Sequence, residues 1–471
     1  MRHQLPPEIL MQVAEYLDYE RSNNPSLAKC TRVCRQWQPV FERRIYNKVR
    51  VYSEEVQKKK GSYNRVSFPH FQALVSNQNE YRRSFVRKLE YTVIIPYEVP
   101  TYQATKQAND QAFRAVLYEF FEFLTSWEGP QLTVALGVKG REETQEPETN
   151  AHKSVWEWQN EFYGDRVVLP YGARLPGGVT MLPEVSCVEH LEFDHTAYDI
   201  WIGTIMQIAE CCVALKRLDV DTMYRVRPDH LDFMRKRRQA LASGLAKLPK
   251  TLEVFRCEGA NEWPWSNTLP ALDLRPANSE IDDLSVSIRS LSCRLRELHL
   301  DGMSVDMNLL FPLDDSGTPR PDAFSLHWPH LERVIFHMAP MHLPSGEWLF
   351  EPELETGNEE ELPDPSTGDE IFENTWLVGD YEICREVMNT EHFHRLFISI
   401  GYAARRMPRL KTIEFSIPSS AVGEFKFVVS GRGGSWDGGM PRLKSSSTYR
   451  PDRRVAEAWG YDLDSLLDSW S

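Results

Sequence analysis

Eight times along this chain of 471 residues an apolar side chain is followed, after two free positions, by a second apolar residue and, after one more position, by a third. The triplets are Tyr46/Val49/Val51, Val86/Leu89/Tyr91, Val188/Leu191/Phe193, Leu215/Leu218/Val220, Leu252/Phe255/Cys257, Leu295/Leu298/Leu300, Leu331/Val334/Phe336 and Leu410/Ile413/Phe415. A further stretch, Leu132/Val134/Leu136/Val138, alternates cleanly. Successive side chains of an extended backbone point to opposite faces, so each run buries one face and turns the other outward. Segments with helical spacing lie between many of these runs: Ala104–Ser126, Tyr198–Val213, Pro228–Leu248, Glu280–Leu291 and Tyr381–Arg406. In Ala104–Ser126 the apolar stripe is Phe113, Val116, Leu117, Phe120, Phe121 and Leu124. Alternating strands and helices predict an α/β body with a parallel sheet.

The triplet resembles the strand core of leucine-rich repeats. The first positions of the triplets are separated by 40, 102, 27, 37, 43, 36 and 79 residues, and most steps exceed the usual repeat length. The asparagine of the strict consensus is replaced by Thr196, Met223, Ala260, Met303, Ala339 or Pro418. These are degenerate leucine-rich-repeat-like units forming an irregular α/β solenoid, or α/β modules that share only the strand pattern. In a curved solenoid the sheet lines a concave surface suited to partner binding. Two insertions break the spacing, Gly140–Leu182, with Trp156, Trp158 and Tyr163, and Pro340–Gly379. Both are candidates for target contact. Within the second, Glu351–Glu370 holds nine Asp or Glu and no Lys or Arg, out of a net charge of −14. It reads as a solvated loop or as a contact for a basic partner.

Composition removes several function classes. A net charge of −14 argues against a generally basic nucleic-acid binder. No run approaches the roughly 18 apolar residues of a membrane helix, and the N-terminus has no apolar signal region. The expected location is the cytoplasm or the nucleus. The eight cysteines contain no C-x-x-C pair, so neither a disulfide framework nor a zinc module is expected. Gly431–Gly439 lacks the Gly-Lys-Ser/Thr ending of a phosphate loop and reads as a turn. His392 and His394, and the set His327, His330, His337 and His342, lack metal-ligand spacing. Arg235-Lys236-Arg237-Arg238 reads as a solvated helix face, or else as a nuclear-import signal or a patch for an acidic partner. No catalytic, metal or cofactor residues are assigned. Arg453–Trp470, with Val455, Ala458, Trp459, Leu463, Leu466, Leu467 and Trp470, reads as an amphipathic cap on the last repeat.

The first fifty residues stand apart. Leu5-Pro6-Pro7-Glu8-Ile9-Leu10 is a helix start, with proline in the first turn and an acid at the positive end of the dipole. Val13, Tyr16 and Leu17 continue its stripe. A polar break, Asp18–Pro25, precedes a second helix carrying Leu27, Ala28, Cys30, Val33, Cys34 and Trp37. Pro39 interrupts this pattern before Val40, Phe41 and Ile45 resume it. So few helices bury little apolar surface alone, and their apolar face must dock on the rest of the chain or on another protein.

Leu5-Pro6-Pro7-Glu8-Ile9-Leu10, Tyr16-Leu17, Leu27 and Val33-Cys34-Arg35-Gln36-Trp37 resemble, in order and spacing, the F-box. The insert Tyr19–Pro25 is longer than in compact members. The resemblance implies a short helical domain that docks onto a Skp-family adaptor and, through it, onto cullin and RING subunits of a ubiquitin ligase. Carried over by position, the adaptor contacts are Leu5, Pro6, Ile9, Leu10, Leu17, Leu27, Val33, Cys34 and Trp37. The same residues could instead pack within their own domain, and Trp37 is expected to do both. The implied layout is an F-box at 1–50, an α/β body at 51–430 and a Gly-rich turn with a capping helix at 431–471. Together these make a fungal-type F-box protein: a non-catalytic, substrate-recognising subunit of a Skp–cullin–F-box ligase, with an unknown target protein. The alternatives are an interaction scaffold outside a ligase and, third, an enzyme carried on the α/β body.

Overall fold

The computed structural model describes residues 6–19, 27–55, 66–97, 103–141, 171–175, 182–193, 200–221, 231–258, 262, 271–277, 279–352, 385–417, 425–430, 442–444 and 449–470. It divides into two compact units, one chiefly of residues up to Arg217 and the other chiefly from Leu218 onward.

The first unit opens with helices α1 (Pro7–Tyr19) and α2 (Trp37–Asn47). Its sheet contains β1 (Lys48–Tyr52), β2 (Val66–Ser67), β3 (Lys88–Ile95), β4 (Leu132–Gly140) and β5 (Val188–Phe193) in the order β2-β1-β3-β4-β5. Every printed pairing among them is parallel. Helix α3 (Phe68–Leu74) leads from β2 toward β3, and α4 (Gln103–Thr125) joins β3 to β4. The register sets Val49 beside Leu89 and Val134, and Val51 beside Tyr91 and Leu136, so the triplets line up as buried rows. Helix aromatics close over these rows. Phe120 of α4 stacks on Tyr91 with centroids 4.0 Å apart, and Phe68 of α3 meets both rings edge-on. Such a cluster adds aromatic geometry to its area burial.

Helix α5 (Ile202–Glu210) lies in the chain between β5 and β6 (Arg217–Asp221). In the second unit β7 (Val254–Glu258), β8 (Glu297–Asp301), β9 (Arg333–His337) and β12 (Thr412–Ile417) are successive parallel neighbours. Helices α6 (Leu231–Leu245) and α7 (Asp283–Ser292) precede β7 and β8. Helix α8 (Thr390–Ala404) precedes β12. Two antiparallel strands, β13 (Phe425–Ser430) and β14 (Arg442–Lys444), finish this sheet. A separate antiparallel pair joins β10 (Phe350–Pro352) to β11 (Arg385–Met388). Leu298, Val334 and Ile413 form one fully buried row and Leu300, Phe336 and Phe415 the next. The residues between them, among them His299, Ile335 and Glu414, face away from that core and are partly exposed.

All nine predicted strand runs are strands, and the printed pairings among them are parallel as the crossover rule requires. Four predicted features differ. Tyr381–Arg406 is shorter as a helix, because Asn389 caps α8 by accepting from the His392 amide at 3.3 Å and Arg385–Met388 is a strand. The tail is two helices, α9 (Arg453–Trp459) and α10 (Leu463–Trp470), since Gly460 takes φ +80° and ends the first while Asp462 caps the second. Arg237 and Arg238 of α6 are buried rather than solvated. Arg238 donates to Glu262 at 2.5 Å and to Asp282 at 2.8 Å, a counter-charge no helical wheel reveals. Antiparallel β13 and β14 were not anticipated. Most of the two insertions, including the acidic run after Pro352, and the Gly-rich segment lie outside the described residues.

Candidate partner-binding interface

Helix α1 begins where the two prolines dictate. The Ile9 and Leu10 amides donate to the Pro6 carbonyl at 3.1 and 3.2 Å, and Pro7 occupies the first position, where no amide is needed. Leu10 and Ala14, one turn apart, are buried, and Val13 beside them is half-buried. Ile9 and Met11 flank this stripe and stay exposed.

The second predicted helix is in fact two pieces. Leu27–Arg32 is a short 3-10 helix, and α2 starts afresh at Trp37, with the Trp37 and Gln38 amides donating to the Cys34 carbonyl at 3.1 and 3.2 Å. Pro39 therefore sits in the first turn of α2, where its missing donor is harmless. Sequence periodicity placed it as an interruption because it could not see the restart. The core of the hairpin is Ala14, Leu27 and Phe41, with Val13, Cys30, Trp37, Val40 and Ile45 packed against it. Trp37 stacks on Phe41 at 5.2 Å and remains partly exposed.

Of the nine residues assigned to adaptor contact, Leu10 and Leu27 are inside, Trp37 is at the edge, and Pro6, Ile9, Val33 and Cys34 face outward. Leu5 and the Leu17 side chain lie outside the described residues. Val33 is 60% exposed, and Ile9 and Met11 are 42% and 43% exposed. The assignment passed over Met11. Its signal was an apolar residue off the stripe of Leu10 and Ala14.

The hairpin is fixed to the first sheet through Glu42. This carboxylate, on the inner face of α2, accepts from Arg82 at 2.8 Å, from Tyr81 at 2.8 Å and from Gln38 at 3.1 Å. Burial alone would push the Glu42 carboxyl up, but the hydrogen bonds from Arg82, Tyr81 and Gln38 outweigh it and hold the group below its ordinary range. Arg82 also lies over the Tyr46 ring at 5.2 Å and donates to the Leu74 carbonyl. Helix α2 runs straight into β1, and the Arg87 amide donates to Asn47 at the junction. No linker separates helices from sheet.

The arrangement offers an apolar, partly exposed docking surface on a rigid mount. It brings together no nucleophile and base. Of the histidines considered above, His337 faces Asp301 at 3.4 Å, and His342 is buried between the Leu343 and Glu262 carbonyl oxygens. His394 lies beside Asp452 and near the Arg450 carbonyl.

Compared with known families, residues 3–50 match the family model of F-box-like domains. No curated protein matches the chain.

Proposed function

We propose, from the premise of an F-box-like domain at the N-terminus, that this chain is the target-recognising subunit of a Skp–cullin–F-box ubiquitin ligase. F-box domains bind Skp-type adaptors. In this reading the N-terminal hairpin holds the adaptor and the α/β body holds a protein target. The ligase partners perform the chemistry, and this subunit contributes proximity.

The observation that carries the reading is the division of apolar residues in the hairpin. Leu10, Ala14, Leu27 and Phe41 suffice for its own core, while Ile9, Met11 and Val33 stay exposed beside it. An exposed apolar set next to a satisfied core marks a protein-binding surface. Capture of the full chain by a Skp-type adaptor tests it. Ile9→Asp with Val33→Asp, both outside the core, should reduce capture about a hundredfold, because two charges would be left in a dry interface. The melting temperature should stay unchanged. Capture that is absent in the wild type, or unaffected by the pair, sinks the reading. Recovery of cullin together with the adaptor distinguishes a ligase subunit from a scaffold working outside one.

A further inference from the structure

In the second unit, three arginines from three consecutive strands of the sheet meet at one carboxylate. Arg256 of β7, Arg296 immediately before β8, and Arg333 of β9 approach Glu297 of β8 at 3.5, 3.8 and 4.0 Å. The register places Glu297 directly beside Val254 and Arg333, with Arg256 one step further along β7. All of this lies on the sheet face turned away from the buried rows. Arg296 and Arg333 are about half exposed, and Glu297 beneath them is largely covered.

The charges do not balance. Three guanidinium groups face one carboxylate, leaving a surplus of two positive charges. The neighbouring carboxylate, Glu332, is already engaged by Lys411 at 2.7 Å and lies within the field of Arg296 and Arg409. Only the Arg256 contact reaches hydrogen-bond distance, so the donors of Arg296 and Arg333 are spent on no short bond among the described residues. The Arg256 Nε is buried without a partner. Like charges repel, and a chain with net charge −14 has no general need to gather cations here.

We propose that Arg256, Arg296 and Arg333 form a binding site for a phosphorylated side chain of the target protein, with Glu297 holding the three guanidinium groups in place. This rests on the target-recognition role proposed above and names its chemistry. A phosphate monoester carries roughly −1.5 to −2 at neutral pH and three acceptor oxygens. That matches the surplus of two, whereas a carboxylate side chain would cancel only half of it. Guanidinium forks pair with phosphate through two parallel hydrogen bonds, which an ammonium group cannot do. A segment lying on this face would present its phosphate at Glu297 and meet Glu258, Asp301 and His337 toward the other ends of the strands.

The test uses the full chain and immobilised degenerate peptide libraries with a fixed central phosphoserine, matched libraries with serine or glutamate there, and a single-stranded RNA oligonucleotide. Phosphoserine should be preferred about tenfold over both other peptides. The preference should disappear in Arg296→Glu with Arg333→Glu. Arg296→Lys with Arg333→Lys should lose it several-fold although the charge is kept, a result that a folding defect would not mimic. Equal binding of the three libraries, a preference intact in the Glu pair, or tighter binding of the oligonucleotide at these arginines overturns the proposal. Adaptor capture measured on the same samples separates the two ideas. Capture without a phosphoserine preference overturns this site alone. A phosphoserine preference without capture overturns the ligase reading alone.

Discussion

Val33 in the N-terminal hairpin and Arg333 in the second sheet are both more than half exposed, yet they reach the surface by opposite routes. In the hairpin the buried stripe of α1 is narrow, and apolar residues spill over both edges of it at Ile9 and Met11. In the sheet the two-residue period sorts side chains cleanly, and what faces outward is ionic: Arg256, Glu297, Arg333 and Asp301. A helix with few partners exposes a surface that another apolar surface can complete. A parallel sheet covered on one side exposes a surface that only a charged or polar partner can complete. The two regions also differ in self-sufficiency. The hairpin core has few members and leans on Glu42 and β1, whereas each sheet row is supported by its neighbours on both sides.

The largest effect should come from emptying the two cores. Phe41→Ala and Leu298→Ala each remove a fully buried side chain and should cost about 3 to 4 kcal/mol. Their consequences should differ in reach. Phe41→Ala should expose the hairpin to limited proteolysis at denaturant concentrations where the second sheet remains intact. Leu298→Ala should lower the main unfolding transition. A common transition lowered equally by both variants would erase the distinction between a mounted module and a continuous sheet.

The mount itself is the next place to strike. Glu42→Gln leaves Arg82 without its charge partner in a buried setting and should cost about 2 kcal/mol. The sign with pH follows from the depressed carboxyl. Its stabilising contribution is complete above the ordinary carboxylate range and is lost as pH falls through the lower folded-state value. The gap between the wild-type and Glu42→Gln unfolding midpoints should therefore be wide at pH 7 and shrink on acidification. A gap that grows toward low pH would mean that Glu42 does not secure the hairpin as an ionised group.

What the sequence revealed follows the range of the forces involved. Strand rows such as Leu298/Leu300 and Val334/Phe336 were legible because a two-residue period and local hydrophobicity are written side by side. Their parallel pairing followed from the helices between them. The outward faces of Ile9 and Val33 could not be separated from the inward face of Leu10, because a motif records that residues matter and not which way they point. Arg238 looked solvated until Glu262 and Asp282 supplied its counter-charges from 24 and 44 residues away. The arginines around Glu297 are separated in the chain by whole crossovers, and only the register brings them together. Pairing across elements is a property of the fold, and composition is silent on it.

The smallest effect on stability tests the contrast most directly. Val33→Ser and Arg333→Ser remove exposed atoms from surfaces that nothing within the chain completes, so each should shift stability by less than about 0.5 kcal/mol in denaturant melts. Their binding consequences should part company in salt. Apolar contact at Val33 is not screened, so adaptor capture should persist when ionic strength is raised to about 1 M, where the screening length falls to about 3 Å. Phosphopeptide binding at Arg333 depends on charge at the surface and should fall steeply over the same range. If both interactions weaken together, the hairpin surface works through charge after all. The division between an apolar mount for the ligase and an ionic face for the target would then have to be redrawn around the hairpin's own cations, of which Arg44, paired with Glu15 at 3.0 Å, is the nearest to hand.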